Sequence, residues 1–537
     1  MGHKVQNGSP VAAQLPLVTA LQNPAVFEHP VTELRLLETH ISWVILTGEY
    51  VYKIKKAVDF GFLDYSTLQK RRFYCQEELR LNRRFAPRLY LDVVAISGTP
   101  ERPSLQAGGE PLEYAVRMKQ FPQSGLLSTL AANNTLTPQH IDALALLVSD
   151  MHASVAIAEM HPDRGLPDDI HHWVMENFEH IRPALPDAQL QQQLRQVEDW
   201  CCREFDTKRA VLEQRRRDGF VRECHGDLHL GNLTLIDGHI TPFDGIEFNP
   251  QLRWIDVISE LAFLVMDIRD RGYPSLAVRL LNACLQHTGD YAGLAVLRYY
   301  LVYRALVRAK VAVLRLPQSH STLDQQNVWY EYRSYMKLAA DYVRPPLVVL
   351  IITHGVSGSG KSYYAAQLAE RMGAIQVRSD VERKRLHGYA AAADTQSAIR
   401  EGIYSADAGV RTYEQLAGLA RTVTGAGYPV IIDATFLQFV WREHFRRLSD
   451  SIGVPFILLD FKADRETLCE RLRSRQTAGG DPSEAGIEVL DAQLASRQPL
   501  MPDEMAAVLG VDSGMDIPIK DLHRRLVERI QAMAADG

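Results

Sequence analysis

The stretch Leu347-Val348-Val349-Leu350-Ile351-Ile352-Thr353-His354 runs directly into Gly355-Val356-Ser357-Gly358-Ser359-Gly360-Lys361-Ser362. Residues 347–353 read as a buried strand and 362–371 as a helix. A Gly-x-x-x-x-Gly-Lys-Ser segment between a strand and a helix is a phosphate-binding loop, or P-loop. Its glycines let backbone N–H groups wrap phosphate oxygens, and the helix N-terminus adds partial positive charge. Gly355, Ser357, Gly358, Ser359 and Gly360 therefore read as a nucleotide cradle. Lys361 is set to reach the β- and γ-phosphates and Ser362 to ligate Mg²⁺. A chance Gly-rich turn, the competing explanation, accounts for neither flank.

Downstream, 375–377, 429–433 and 456–461 are further apolar strands separated by helical stretches. That alternation implies a parallel sheet. Ser379-Asp380-Val381-Glu382-Arg383 follows the first of these strands. An Asp at that strand end lies near a γ-phosphate and can take a hydroxyl proton, and Arg383 can steer an anionic group. Asp433 ends the next strand, suited to Mg²⁺-bound water or, alternatively, to capping the strand end. Arg471 and Arg475 recur in Glu470-Arg471-Leu472-Arg473-Ser474-Arg475. Arginines closing over a triphosphate can contribute about 10³ to 10⁵ in rate. A solvated helix face is the other reading of this pair.

Upstream lies a second phosphate-handling set, His225-Gly226-Asp227-Leu228-His229-Leu230-Gly231-Asn232, followed by Asp244 in Thr-Pro-Phe-Asp-Gly. Phosphoryl transfer needs positioning and charge stabilisation more than covalent chemistry. Asp227 is placed to take a hydroxyl proton. Asn232 offers a carbonyl oxygen to Mg²⁺, Asp244 a charged oxygen, and Glu247 a further acidic contact. Before this loop come a hairpin (43–46 and 50–55, turning at Gly48-Glu49), a helix (71–84) and two strands (91–96 and 112–120). Helical patterns follow over 141–158, 189–217, 254–267 and 297–314. A loop over 317–326 leads to a connecting helix over 327–342, with Pro345-Pro346 at its end.

His-Gly-Asp-x-His-x-x-Asn followed by a strand and Phe-Asp resembles the aminoglycoside phosphotransferase/choline kinase-like group, a branch of the protein-kinase-like fold, over about residues 30–315. The resemblance implies Asp227 as catalytic base, Asn232 and Asp244 as metal ligands, and Asp256 as a brace for the catalytic loop. Such a fold also needs a small-lobe Lys paired with a helix Glu to hold the α/β-phosphates. Lys53 is the choice, with Lys55 its rival on the same strand face. The partner is Glu78 or its neighbour Glu77. No Gly-x-Gly-x-x-Gly precedes this strand. A degenerate, non-catalytic kinase fold is the competing reading.

Residues 346–505 are similar to small P-loop kinases: polynucleotide 5′-kinases, zeta-toxin-like sugar-nucleotide kinases and chloramphenicol phosphotransferase. That likeness implies Asp380 as base and Arg471 and Arg475 as lid arginines. The whole arrangement resembles bacterial fusions of an aminoglycoside-phosphotransferase-like domain with a P-loop ATPase/kinase domain. The fold expectation is α/β and α+β: a lead-in over 1–25, a kinase-like small lobe over 26–122, a large lobe over 123–326, a connecting helix over 327–345 and a P-loop domain over 346–537.

The composition fits that plan. The 537 residues are 46% hydrophobic and 23% charged, ordinary for globular protein. A net charge of −6 argues against a dedicated nucleic-acid binder held by a broad basic face. Six cysteines without a C-x-x-C pair read as reduced thiols, and hence a cytoplasmic protein. No apolar run approaches the roughly 18 residues that span a bilayer, so no membrane partner is expected.

His152 reads as a structural histidine, His171-His172 as no metal site, and Arg215 to Arg217 as a solvated charge run. Arg304, Arg308 and Lys310 read as surface residues rather than anion ligands. The function expected is a bifunctional kinase using ATP or GTP with Mg²⁺ and transferring phosphate to small-molecule hydroxyls at two sites. One alternative makes the C-terminal domain a polynucleotide 5′-hydroxyl kinase, so that nucleic acid is a partner of that domain alone. In the other, one domain binds nucleotide and regulates its neighbour.

Overall fold

The computed structural model describes residues 10–535 apart from 62, 107, 159–160, 162, 319–320, 346, 391–392, 394–402, 404, 479–482, 484 and 516. The first nine residues of the expected lead-in, residues 319–320 of the expected loop, and Pro346 lie outside the described residues. The chain clusters into two units. One comprises Met1–His140, Asp150–Arg271 and Tyr299–Asp341; the other comprises Ile141–Ser149, Gly272–Arg298 and Tyr342–Gly537.

The first unit begins with helix α1 (Pro10–Ala20), not a loose lead-in over its whole length. Leu17, Val18 and Leu21 bury with Trp43, Ile45 and Ile54, and that apolar contact orders the segment. Six strands follow: β1 (Arg35–Glu38), β2 (Ser42–Leu46), β3 (Tyr50–Lys55), β4 (Tyr90–Thr99), β5 (Arg102–Ser104) and β6 (Glu113–Lys119). They form one antiparallel sheet in the order β1-β2-β3-β6-β4-β5. Helix α2 (Leu68–Arg83), capped by the Thr67 side chain, lies against β4 and β6.

The helical part holds α3 (Leu127–Ala132), α4 (Pro138–Ser154, shared between the units), α5 (Pro167–Ile181) and α6 (Ala188–Arg217). Two short pairs interrupt it: β7 (Val221–Glu223) with β10 (Trp254–Asp256), and β8 (Leu233–Ile236) with β9 (His239–Pro242). The helix expected from residue 254 starts as strand β10; the helix proper is α7 (Val257–Asp270), N-capped by Asp256.

Helix α8 (Pro274–Thr288), inside the range read as large lobe, clusters with the second unit. Asn282 there donates to Ala374 O at 3.0 Å and accepts from Gln376 N at 2.7 Å. Helix α9 (Leu294–Leu314) follows, then α10 (Thr322–Val343), the expected connector. Most of α10 belongs to the first unit, with Tyr332, Met336 and Ala339 buried.

The second unit carries five parallel strands: β11 (Leu350–His354), β12 (Ile375–Arg378), β13 (Val430–Asp433), β14 (Phe456–Lys462) and β15 (Val508–Asp512). Their order is β12-β13-β11-β14-β15. Helices α11 (Lys361–Met372), α12 (Ser379–Leu386), α13 (Ala406–Gly425), α14 (Phe439–Ile452), α15 (Arg465–Ala478), α16 (Ile487–Ser496) and α17 (Ile519–Ala535) connect or follow them. Central β11 and β13 are buried throughout, as strands covered on both faces must be. In such sheets ligands sit beyond the carboxyl ends of the strands, where strand order reverses. The P-loop leaves β11 at that end.

Candidate active sites

Alternate residues on β3 share a face, so Lys53 and Lys55 both meet α2. Buried Glu78 takes both: Lys53 Nζ lies 2.8 Å from Oε1, and Lys55 Nζ lies 2.7 Å from Oε2. Lys53 also pairs with Asp244, and Lys55 with Glu247, which accepts from Tyr65 as well. Burial works against the Lys53 charge, but Asp244 and Glu78 outweigh it and hold its pKa well above the ordinary value. Burial likewise opposes the Glu78 charge, and the two lysines pull its pKa down. Glu77 bonds instead to Arg80 at 2.9 Å.

The loop after β7 is fixed from behind. His225 is buried; its Nε2 donates to Phe243 O at 2.9 Å and its Nδ1 accepts from Asp227 N at 3.4 Å. That pattern is the neutral imidazole, and burial lowers its pKa accordingly. Gly226 has φ +89, and a Cβ there would lie 2.8 Å from Leu252 O, so glycine is required. Its N–H donates to Glu260 Oε1 at 2.7 Å, and Glu260 Oε2 meets His152 Nε2 at 3.0 Å. Leu230 N donates to Asp267 at 2.9 Å.

These contacts correct several expectations. Direct side-chain bonds to the backbone of the 225–232 loop come from Glu260, Asp267 and Arg304, whereas Asp256 is held in a buried bidentate pair with Arg215 at 2.7 and 2.8 Å. Arg215 is therefore no solvated residue. Arg304 is buried too, donating to Gly226 O at 3.3 Å and Ser259 O at 3.1 Å. His171 bonds to Tyr299 OH at 3.0 Å.

Asp227 keeps 38% side-chain exposure, with His229 Nε2 3.6 Å away. Asn232 Nδ2 donates to its backbone O at 2.9 Å and its Oδ2 at 3.1 Å. The amide oxygen of Asn232, on the other prong, is a hard donor suited to a cation. Partial burial opposes the Asp227 charge; His229 and Arg308 outweigh it and hold the carboxyl well below the usual range. Asp244 sits at φ +64, a conformation costing a non-glycine residue about 1 kcal/mol or more. Tyr90 OH accepts from its N–H at 2.9 Å, and Asn82 accepts from Gly245 N at 2.8 Å, fixing the turn. Lys53, Asp227, Asp244 and Glu247 line one cavity of 640 Å³, with Glu78 and Asn232 behind them.

In the second unit the cradle is equally specific. Gly358 has φ +81, and a Cβ there would lie 2.9 Å from Leu468 O. Lys361 is buried and turned back on its own loop, 2.8 Å from Val356 O and 3.5 Å from Ser359 Oγ. Burial lowers its pKa to about 8, although Asp433 and Asp380 pull the other way. Ser357 N donates to Gln493 Oε1 on α16 at 2.7 Å. Asp433, at the end of β13, accepts from Gln376 Nε2 at 3.0 Å. Burial raises its pKa despite Arg378, Ser362 and Lys361. A buried carboxylate so incompletely neutralised, beside the Ser362 hydroxyl, suits an added cation.

Asp380 opens α12, 3.2 Å from Arg383. Arg471 donates to Ser513 O at 2.5 Å, and Arg475 to Ala485 O at 2.6 Å. A cavity of 460 Å³ brings together Ser357, Gly358, Gly360, Lys361, Ser362, Asp380, Arg383, Asp433, Arg471 and Arg475. Gly355 and Ser359 shape the loop from outside it: Gly355 N donates to Thr435 O at 3.1 Å, and Ser359 O accepts from Ser513 Oγ at 2.8 Å. Sequence reading missed Arg378, Tyr413 and Gln493, which also line this cavity. Arg378 had a signal, standing two residues before Asp380. The other two come from distant helices with no local signature.

Residues 350–500 match an AAA domain. An uncharacterized protein of Mycobacterium tuberculosis (strain ATCC 25618 / H37Rv), Rv2004c, is 28% identical over 473 residues, covering 88% of this chain and 92% of its own. Among solved structures, a choline/ethanolamine kinase family protein from Mesorhizobium loti is 10% identical, covering 61% of this chain and 97% of its own, with a TM-score of 0.37. A sugar kinase from Janibacter sp. HTCC2649 is 22% identical, covering 35% of this chain and 95% of its own, with a TM-score of 0.25. TM-scores this low add nothing to the fold assignment. By strand order, paired lysine and phosphate loop, the chain joins a kinase-like N-terminal unit to a C-terminal P-loop unit.

Proposed function

We propose that the chain is a bifunctional, ATP- or GTP-dependent phosphotransferase that moves a terminal phosphate to an alcohol oxygen of a small molecule at each of two sites. One observation carries this reading: in each unit a single cavity gathers a lysine, a carboxylate suited to a divalent cation and a second carboxylate open to an acceptor. A cytoplasmic location is part of the proposal; among the described residues no helix is long and apolar enough to cross a membrane.

In the first site Lys53, oriented by Glu78, holds the α- and β-phosphates. Asp227 accepts a hydrogen bond from the acceptor hydroxyl and aims its oxygen at the γ-phosphorus. As that P–O bond forms, the bond to the β–γ bridging oxygen breaks and the nucleoside diphosphate leaves. With its pKa held so low, Asp227 takes the hydroxyl proton late, once the attacking oxygen has become acidic. In the second site the P-loop amides and Lys361 hold the phosphates, and Asp380 faces the acceptor. Arg471, 3.4 Å from Gly358 O, and Arg475 line the same cavity and supply the lid charge in this reading. Mg²⁺, held by Asn232 and Asp244 in one site and by Ser362 near Asp433 in the other, would supply charge neutralisation on the triphosphate oxygens.

Arg378 and Arg383 favour an anionic acceptor in the second site, since both line its cavity beside Asp380. A polynucleotide 5′-hydroxyl shares that charge and is the second reading for this unit. The test is an acceptor library with γ-labelled ATP, run on Asp227→Ala and Asp380→Ala. Two independent losses of transfer are expected. If Asp380→Ala changes no transfer reaction while Lys361→Ala abolishes regulation of the first site, the C-terminal unit is a sensor and the two-catalyst reading fails.

A further inference from the structure

The first cavity has two walls. Val44, Val51 and Met118 line it from the sheet, where Lys53 takes the phosphates. The opposite wall is helical and lies beside the catalytic loop: the rings of His229 and Phe263 are 5.4 Å apart, and Arg304, bonded to Gly226 O, lies 4.9 Å from the Phe263 ring and 5.0 Å from the Tyr303 ring. An acceptor presented to Asp227 therefore rests on this helical wall.

That wall is largely apolar, and the charged groups set in it, Glu176 with Lys310 and Arg304 on Gly226 O, are already engaged. It carries Trp173 from α5, Phe263 from α7, and Tyr303, Val307, Val311 and Leu314 from α9. The last four recur at helical spacing and make one stripe. The stripe is not ordinary core, since Val311 is 43% and Leu314 49% exposed.

Charge narrows the choice further. The cavity's four carboxylates, Glu176, Asp227, Asp244 and Glu247, face four cations, Lys53, Lys119, Arg304 and Lys310. Glu176, the carboxylate on the helical wall, is paired with Lys310 at 3.1 Å. A polycationic acceptor would find no excess of negative charge there. A free sugar would set its hydroxyls against aromatic and aliphatic surface and lose hydrogen bonds to water.

We infer that the acceptor of the first site is an uncharged alcohol borne on an apolar ring framework, not an amino-sugar polycation or a free sugar. This rests on the proposed phosphotransfer at Asp227 and names the substrate class of that site.

The experiment uses the full chain carrying Asp380→Ala, so that transfer reports the first site. Labelled transfer from ATP is measured to three panels: aryl-alkyl and macrocyclic lactone alcohols, neutral sugars, and polycationic amino-sugars. The ring alcohols are expected to show kcat/KM at least about tenfold above the other panels, the scale of discrimination that apolar contacts provide. Adding Trp173→Ala or Val311→Asp should then raise the acceptor KM about tenfold and leave the KM for ATP unchanged.

Asp227-dependent transfer chiefly to sugars or amino-sugars overturns the inference and leaves phosphotransfer standing. So does an unchanged acceptor KM in both wall variants. Absence of Asp227-dependent transfer in every panel, with ATP still bound, overturns the phosphotransfer reading and the inference with it.

Discussion

Lys53 and Lys361 are given the same task in the proposed reading, yet their surroundings are opposite. Lys53 rests between Glu78 and Asp244, and its charge is secured before any nucleotide arrives. Lys361 has backbone and hydroxyl oxygens for company, and burial brings its pKa to about 8. The kinase-like unit places its lysine between a helix carboxylate, Glu78, and a turn carboxylate, Asp244. The P-loop unit gives its lysine only loop oxygens, and in the proposed reading phosphate oxygens would complete its shell. One lysine is pre-paired, and the other would be satisfied by the proposed ligand.

The broadest test of this comparison is at the acceptor carboxylates. Asp227→Ala and Asp380→Ala should each cost about 10² to 10⁴ in one transfer reaction and leave the other intact. Steady-state rates with separated acceptors would read this, and a shared loss would merge the two sites into one system.

Next come the lysines themselves. Lys53→Ala strands Glu78 beside the single cation Lys55 and should destabilise the first unit by about 3 kcal/mol or more. Lys361→Ala removes a buried cation without a directly paired carboxylate and should leave nucleotide-free stability unchanged or slightly higher. Urea unfolding of both variants would separate the two cases; equal losses would erase the contrast.

The pH response sharpens it. Below about pH 8 Lys361 is already protonated; above that it must take up a proton as phosphate binds. Nucleotide affinity of the second site should therefore weaken as pH rises past 8, by up to about tenfold per unit. The first site should hold its affinity over the same interval, because the Lys53 pKa is raised. Titrations on Lys53→Met and Lys361→Met proteins at pH 7 and 9 would show it.

The smallest effect belongs to Gln493. It accepts the Ser357 N–H, one of the loop amides proposed to meet phosphate. Gln493→Ala should tighten nucleotide binding at the second site a few-fold, in line with release of one hydrogen bond of about 1 kcal/mol. Weaker binding would make Gln493 a ligand contact instead.

The sequence carried most where chemistry and local structure coincide. The P-loop and the β2–β3 hairpin were legible because each pattern lies within a few residues of chain, and Asp227, Asn232 and Asp244 were singled out because one loop and one short hairpin hold them all. The environment of Lys55 was not. Its bonds to Glu78 and Glu247 span 23 and 192 residues, and no periodicity encodes such pairings. Arg215 misled because its neighbours Arg216 and Arg217 make a run that looks solvated, while only Arg215 faces Asp256. Helix α1 was obscured by Pro16 inside it and by the Gly/Pro/Gln-rich lead-in. Strand β15 is a five-residue edge strand with a glycine at its centre, too short and weak to stand out.

The most direct test is binding stoichiometry. Calorimetric titration of the full chain with a non-hydrolysable magnesium–ATP analogue is expected to give two equivalents, falling to one in Lys53→Met and to one in Lys361→Met. A single equivalent in the unaltered protein, or both lost through either substitution, would contradict two independent nucleotide sites.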